Sequence, residues 1–155
     1  MPVQKKYYKG KFIPRNQDKY IGTLPIIYRS LWELAIMNHF DNSNDVVKWG
    51  SESIVVPYLY ECDNRVHRYF IDFNYVDRNN RKYLIEVKPK KQTLAPKPPK
   101  RNSIKSNHKY MIEQMEYQKN CDKWKAAHEF AQKYGMVFKI WTEETLQNLG
   151  LMARK

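Results

Sequence analysis

The sequence is short of cysteine and of long apolar runs, and each shortage narrows its class. Two cysteines, Cys62 and Cys121, stand far apart among 155 residues, and no Cys-x-x-Cys occurs. Four histidines are scattered singly. Neither a disulfide framework nor a structural zinc site is suggested, and two free thiols fit a reducing cytoplasm. No stretch approaches the roughly 18 apolar residues that span a membrane, so no membrane partner is expected. The N-terminus, MPVQKKYYKGKF, is basic but lacks the apolar core of a secretory signal. No internal repeat is visible.

What is present is a folding chain with a strong charge bias. Hydrophobic residues make up 42% and aromatic residues 14%, enough for one domain with a modest core. Lys and Arg number 28 against 16 Asp and Glu, a formal charge of +12. Such an excess predicts a polyanionic partner, nucleic acid before others. A basic chain whose charge serves only solubility is the competing reading.

Residues 1–25 read as a basic N-terminal arm or extended segment. Tyr7, Tyr8 and Phe12 lie there among lysines, placed to stack on bases at a DNA end or to pack on the domain. Residues 26–40, IIYRSLWELAIMNHF, carry apolar groups on nearly every face, which predicts a buried helix. The run DNSND at 41–45 predicts a turn. Residues 46–60 read as a strand region broken by Gly50 and Pro57. Two strands at about 66–76 and 82–88 flank a polar turn, the pattern of a hairpin. Residues 89–107 contain four prolines, many cations and no acid, and predict a loop. Residues 108–134 form the longest helical candidate. Met111, Met115, Trp124, Ala127 and Phe130 or Ala131 recur there at helical spacing, and Gly135 is a natural cap. A short strand at 136–142 and a last helix with an acidic first turn after Thr142 complete the chain. The element order predicts an α/β domain over 26–150, with a mixed sheet of about four strands and a basic Pro-rich loop at 89–107.

The hairpin carries unexpected charge. Asp72 lies near the middle of one run, with Glu86 and Lys88 on the other. Alternation puts Lys82, Leu84, Glu86 and Lys88 on one side of the strand, and Ile85 and Val87 on the core side. Likewise Asp72 shares a face with Phe70 and Asn74, opposite Ile71, Phe73 and Tyr75. A turn centred on Asn79 pairs residues whose numbers sum to 158, so Asp72 faces Glu86. Directly opposed side chains have Cβ atoms about 4.5–5.5 Å apart, where like charges repel. Three readings fit: an ion cluster neutralised by Lys88, a solvated edge, or a hard divalent cation such as Mg²⁺ or Mn²⁺ held between the acids. The acid-free cationic loop and the overall charge favour the third. A further carboxylate, Glu33, lies in the apolar helix, where Arg29 four residues earlier would be an ordinary partner.

An acid on a first helix, an acid on a strand, Glu86-Val87-Lys88 on the next strand, then a long helix and a strand: this ordered set resembles the PD-(D/E)xK nuclease superfamily. Tyr28 to Glu33, Val56-Pro57-Tyr58, Tyr69 to Phe73, Leu84 to Pro89, Trp124 to Ala127 and Ile140 to Glu144 are similar to TnsA-type endonucleases and to the head-completion nucleases of T4-like tailed phages. The likeness covers about residues 26–149. The motif's proline is missing, since Ile71 precedes Asp72.

The resemblance implies a restriction-endonuclease-like three-layer core and metal-dependent hydrolysis of DNA phosphodiesters. Asp72, Glu86 and the backbone carbonyl of Val87 would hold Mg²⁺, with Mn²⁺ as substitute. Glu33 would join through water or at a second ion. Lys88 would orient the attacking water, stabilise the transition state or act as base. Lys90, Lys91, Lys97, Lys100, Arg101 and Lys105 of the loop would contact phosphates. Lys109 and Gln114 on the long helix would contact the scissile strand. Phage membership further implies DNA and head, portal or neck proteins as partners, and a place in the host cytoplasm and in the virion. The alternative is a non-catalytic basic module that grips DNA in the virion on a nuclease-like fold. A transposase subunit would need a recombinase partner and a further C-terminal domain, for which 155 residues leave little room.

Overall fold

The computed structural model describes residues 9–154. Two short antiparallel strands, β1 (Gly10–Phe12) and β2 (Ile26–Tyr28), open it. They occupy the basic segment and the start of the run expected to be helix. From Gly10 on, this segment is fastened to the body. The buried Asp41 carboxylate accepts the N–H groups of Arg15 and Asn16 at 2.9 and 3.0 Å. Lys19 Nζ donates to the carbonyls of Asp41 and Ser43. Phe12 is a core residue here and not a stacking platform. Tyr7 and Tyr8 lie outside the described residues.

The first helix, α1 (Leu31–Asn42), begins later than the apolar run suggests. Ser30 caps it, its Oγ accepting the Glu33 N–H at 3.1 Å. The run Ser30-Leu31-Trp32-Glu33 has the Ser-x-x-Glu form of a helix start, and that signal outweighs the apolar residues before it. Asp41, expected in a turn, falls in the last helical turn. Ile36, Met37 and Phe40 are fully buried. At about 2 kcal/mol for each such side chain, they fix the rotation of α1 and so the direction in which Glu33 points.

Strands β3 (Val46–Ser51) and β4 (Val55–Tyr60) divide at Glu52, and neither Gly50 nor Pro57 breaks them. Glu52 makes the turn with a positive φ of 51°. Pro57 is tolerated because β4 pairs only with β5 (Arg65–Phe70), in a two-stranded ribbon with a free edge. Next come β6 (Phe73–Asp77) and β7 (Lys82–Val87), the expected hairpin. Phe73 pairs with Ile85 and Asn74 with Leu84, the register read from the turn. The first strand of that hairpin is not continuous, however. Ile71 packs with Val56 and Leu84, whereas Phe73 packs with Phe40 and Trp49 on the other side. The chain crosses between the two cores at Asp72.

The long helix, α2 (Ile104–Lys133), starts at a Ser103–Ser106 cap inside the expected loop. Gly135, at a φ of +66°, turns the chain out of it. Strand β8 (Met136–Trp141) then pairs parallel to β7, and α3 (Glu143–Asn148) follows. Thr145 Oγ1 accepts the Thr142 N–H at 3.2 Å at its start.

The central sheet has the order β3-β6-β7-β8 and is mixed. On one face Ile85 and Phe73 meet α1, α3 and the N-terminal strands. On the other, Leu84 meets the β4–β5 ribbon and the Ala127–Ala131 stripe of α2. Leu84 and Ile85 are neighbours and both fully buried, so neither face of β7 is the open one that alternation suggested. This three-layer α/β arrangement is consistent with a restriction-endonuclease-like core. Residues 20–21 lie along β3, where the Ile21 N–H donates to the Trp49 carbonyl at 2.9 Å, covering that edge of the sheet.

Candidate active site

The crossing at Asp72 and the end of β7 put two acids side by side. Asp72 sits one residue past the Phe73–Ile85 pair, across from Glu86. Its Oδ2 accepts the Val87 N–H at 2.8 Å. Glu86 is 5% exposed. Its Oε2 accepts the Tyr69 hydroxyl, and its Oε1 lies 3.7 Å from Lys88 Nζ. The Lys88 N–H continues the β7–β8 ladder, donating to the Trp141 carbonyl at 2.9 Å. The residues expected to form the site on two strands are therefore brought together.

Burial raises the Asp72 carboxyl well above the usual carboxylate range, and the adjacent Glu86 charge raises it further. The Val87 N–H works the other way, and Glu33 adds a smaller push upward. Tyr69 is raised by burial and by the same Glu86 charge, so its hydroxyl stays a donor.

Glu33 has a divided role. Its Oε2 accepts the Arg29 N–H at 2.8 Å at the helix start. Burial raises this carboxyl too, with the Arg29 N–H and charge opposing. The expected Arg29 partnership is thus through the backbone. The Arg29 guanidinium instead reaches Glu52, at 2.5 Å between Nη1 and Oε1.

Among the described residues, no group of three or more His, Cys, Asp or Glu side chains gathers closely enough to hold a metal by itself. A two-carboxylate site still fits Mg²⁺ or Mn²⁺. Such ions take one or two protein carboxylates and fill their other positions with water and phosphate. Asp72 and Glu86 offer hard oxygen donors, and the Asp72 carboxyl is raised first by burial and then by the Glu86 charge, which a divalent cation would offset.

Three side chains at this place were not singled out from the sequence. Tyr69 comes from β5, brought over Glu86 by the β4–β5 ribbon, which no local pattern announces. Glu52 comes from the strained turn after β3, and its N–H donates to the Asp72 carbonyl at 3.1 Å. Lys123 of α2 lies 5.3 Å from the Tyr69 ring centroid and 5.9 Å from that of Tyr58. Burial lowers its ammonium, Glu86 pulls it back up, and Lys88 lowers it. Spacing does carry a signal for Lys123: it stands four and eight residues before the buried Ala127 and Ala131.

The expected DNA-binding cations separate into two sets. Lys90, Lys91, Lys97 and Lys109 surround one cleft that Lys88 also lines. Within it, Lys90 is engaged by α3: its N–H meets the Glu143 carboxylate at 3.0 Å, and its Nζ lies 2.5 Å from Glu144 Oε1. Lys100, Arg101, Lys105 and Gln114 are exposed beyond this cleft.

The family model for the N-terminal domain of TnsA-like endonucleases matches residues 43–143, which include Asp72, Glu86 and Lys88. The head completion nuclease of Enterobacteria phage T4 is 38% identical over 144 residues, covering 92% of this chain and 96% of that protein. No solved structure matches the chain.

Proposed function

The chain belongs to the TnsA-like endonuclease family, and from that premise we propose that it is a deoxyribonuclease using Mg²⁺, with Mn²⁺ as substitute, to hydrolyse phosphodiester bonds. Asp72, Glu86 and the Val87 carbonyl hold the ion, and Glu33 joins them through water. The ion supplies Lewis acidity toward the phosphate and toward an attacking water. Lys88 places a positive charge where negative charge grows on the phosphate oxygens. Tyr69 fixes the rotation of the Glu86 carboxylate by donating to one of its oxygens. Lys123 brings a second ammonium from α2 to the same place and meets a substrate phosphate. Loop and helix cations, Lys91, Lys97, Lys100, Arg101, Lys105 and Lys109, hold the DNA backbone without reading sequence.

The phage relative's name favours action on packaged DNA during head completion, in the host cytoplasm and on the virion, with head, portal or neck proteins as partners.

One observation carries this reading: two carboxylates meet at the strand crossing with the Lys88 ammonium 3.7 Å from one of them. The test is relaxation of supercoiled plasmid in Mg²⁺ by the wild type and Glu86→Ala in parallel. Cleavage by the wild type alone supports the proposal. Cleavage by neither, also in Mn²⁺, favours a DNA-gripping module, and equal cleavage by both removes the site from the reaction.

A further inference from the structure

Beside Lys88 lies a cleft of about 1110 Å³, between the segment that follows β7 and the outer half of α2. Its walls combine three kinds of group. Five lysines face three glutamates, a net positive lining. Two of those glutamates are already engaged, Glu143 by the Lys90 N–H and Glu113 by Lys109 at 3.8 Å. Leu94, Ile112 and Tyr117 supply flat or apolar surface, with Leu94 60% and Ile112 47% exposed. Asn120 also lines the cleft, and it is only 7% exposed. Its carboxamide offers both a donor and an acceptor.

We propose that the cleft takes an unpaired stretch of DNA strand, one or a few nucleotides long, that continues from the phosphate at Lys88. The volume lies just above the roughly 300–1,000 Å³ usual for a small-ligand pocket. A double helix, whose major groove alone is about 12 Å wide, would rest only on the rim. Lys88, Lys91 and Lys97 follow the phosphates, whereas Lys90 is held by Glu144 and Lys109 by Glu113. Tyr117, Ile112 and Leu94 meet base faces, which are hidden inside a duplex and available only on a separated strand. The Asn120 carboxamide, both donor and acceptor, meets a base edge. The inference rests on the nuclease reading for Lys88 and adds the substrate form: frayed ends, flaps or single strands in preference to intact duplex.

The test is fluorescence anisotropy with a short labelled oligothymidylate and, separately, a blunt duplex of equal length, both in Ca²⁺ to prevent turnover. The wild type binds the single strand more tightly at matched salt. Tyr117→Ala and Asn120→Ala each weaken single-strand binding by about tenfold, the scale of one lost base contact, and change duplex binding by less than twofold. Leu94→Glu, at an exposed loop position, has the same selective effect with an unchanged melting temperature, so loss of fold cannot account for it. Equal wild-type affinity for the two probes overturns the proposal, as does equal weakening of both by these variants. The plasmid assay reads the other question. Cleavage without strand preference removes the cleft proposal and keeps the nuclease; strand-selective binding without cleavage does the reverse.

Discussion

The Val87 N–H donates to Asp72 Oδ2 at 2.8 Å, at the point where β6 and β7 stop pairing. One oxygen of the acid is thereby held by the backbone of the residue between Glu86 and Lys88, with the Glu86 carboxyl beside it. The bond also partly offsets the cost of keeping a carboxylate beside Glu86.

Replacing that acid separates activity from stability. Asp72→Asn keeps an oxygen for the Val87 N–H but removes the charge next to Glu86. Cleavage is expected to be lost, and the metal-free variant to melt higher than the wild type at neutral pH. For a domain of this size each kcal/mol gained is about 2–4 °C. Mg²⁺ should raise the melting temperature of the wild type and leave the variant unchanged. Calorimetry with and without the ion decides; a variant that melts lower would refute the repulsion.

The raised carboxyls fix the sign of the pH response. Asp72 and Glu33 bind a proton more tightly folded than unfolded. Their contribution favours the folded state below the ordinary carboxylate range and is lost as pH rises through the higher folded values. Metal competes with that proton. Activity should therefore rise with pH through the folded Asp72 value, and its midpoint should move to lower pH as Mg²⁺ is increased. Rate profiles at two metal concentrations check this, and a midpoint indifferent to metal would contradict it.

Tyr69→Phe removes the donor to Glu86 Oε2 and nothing else of size. Loss of such a supporting contact typically costs about 10–100-fold in metal affinity or activity. Titrating activity with Mg²⁺ should show a weaker apparent metal constant, partly recovered at high metal. A wild-type metal titration would exclude the role.

Lys123→Ala tests the second ammonium. If it meets a phosphate, the slope of log affinity against log salt should fall by about 0.9, the value for one contact on duplex DNA. Lys123→Arg should restore the slope. A structural lysine would change the melting temperature and leave the slope unaltered.

Much of this site was legible because hairpin register depends on the turn. The turn on Asn79 fixed the pairing of 73 with 85, and with it the meeting of Asp72 and Glu86. Residues supplied by distant elements were not legible. Tyr69 reaches Glu86 only because β4 and β5 fold as a ribbon over α2, and Pro57, a strand breaker by composition, is accommodated by the free ribbon edge. The start of α1 is ambiguous in the sequence because apolar residues at 26–28 serve a strand as well as a helix; Ser30 and Glu33 hold the deciding information. Alternation misjudged β7 because helices cover both faces of the sheet, and burial on both sides erases a period of two.

Parallel strands cannot be joined by a tight turn, so the chain between β7 and β8 must travel back along the sheet before it pairs again. The basic segment and α2 are that return journey. A stretch that topology makes compulsory is thus also the one lying alongside Lys88. Its length is set by the need to return to the far end of the sheet, not by the strand ends that hold the two acids, so the fold keeps the two demands on separate stretches of chain.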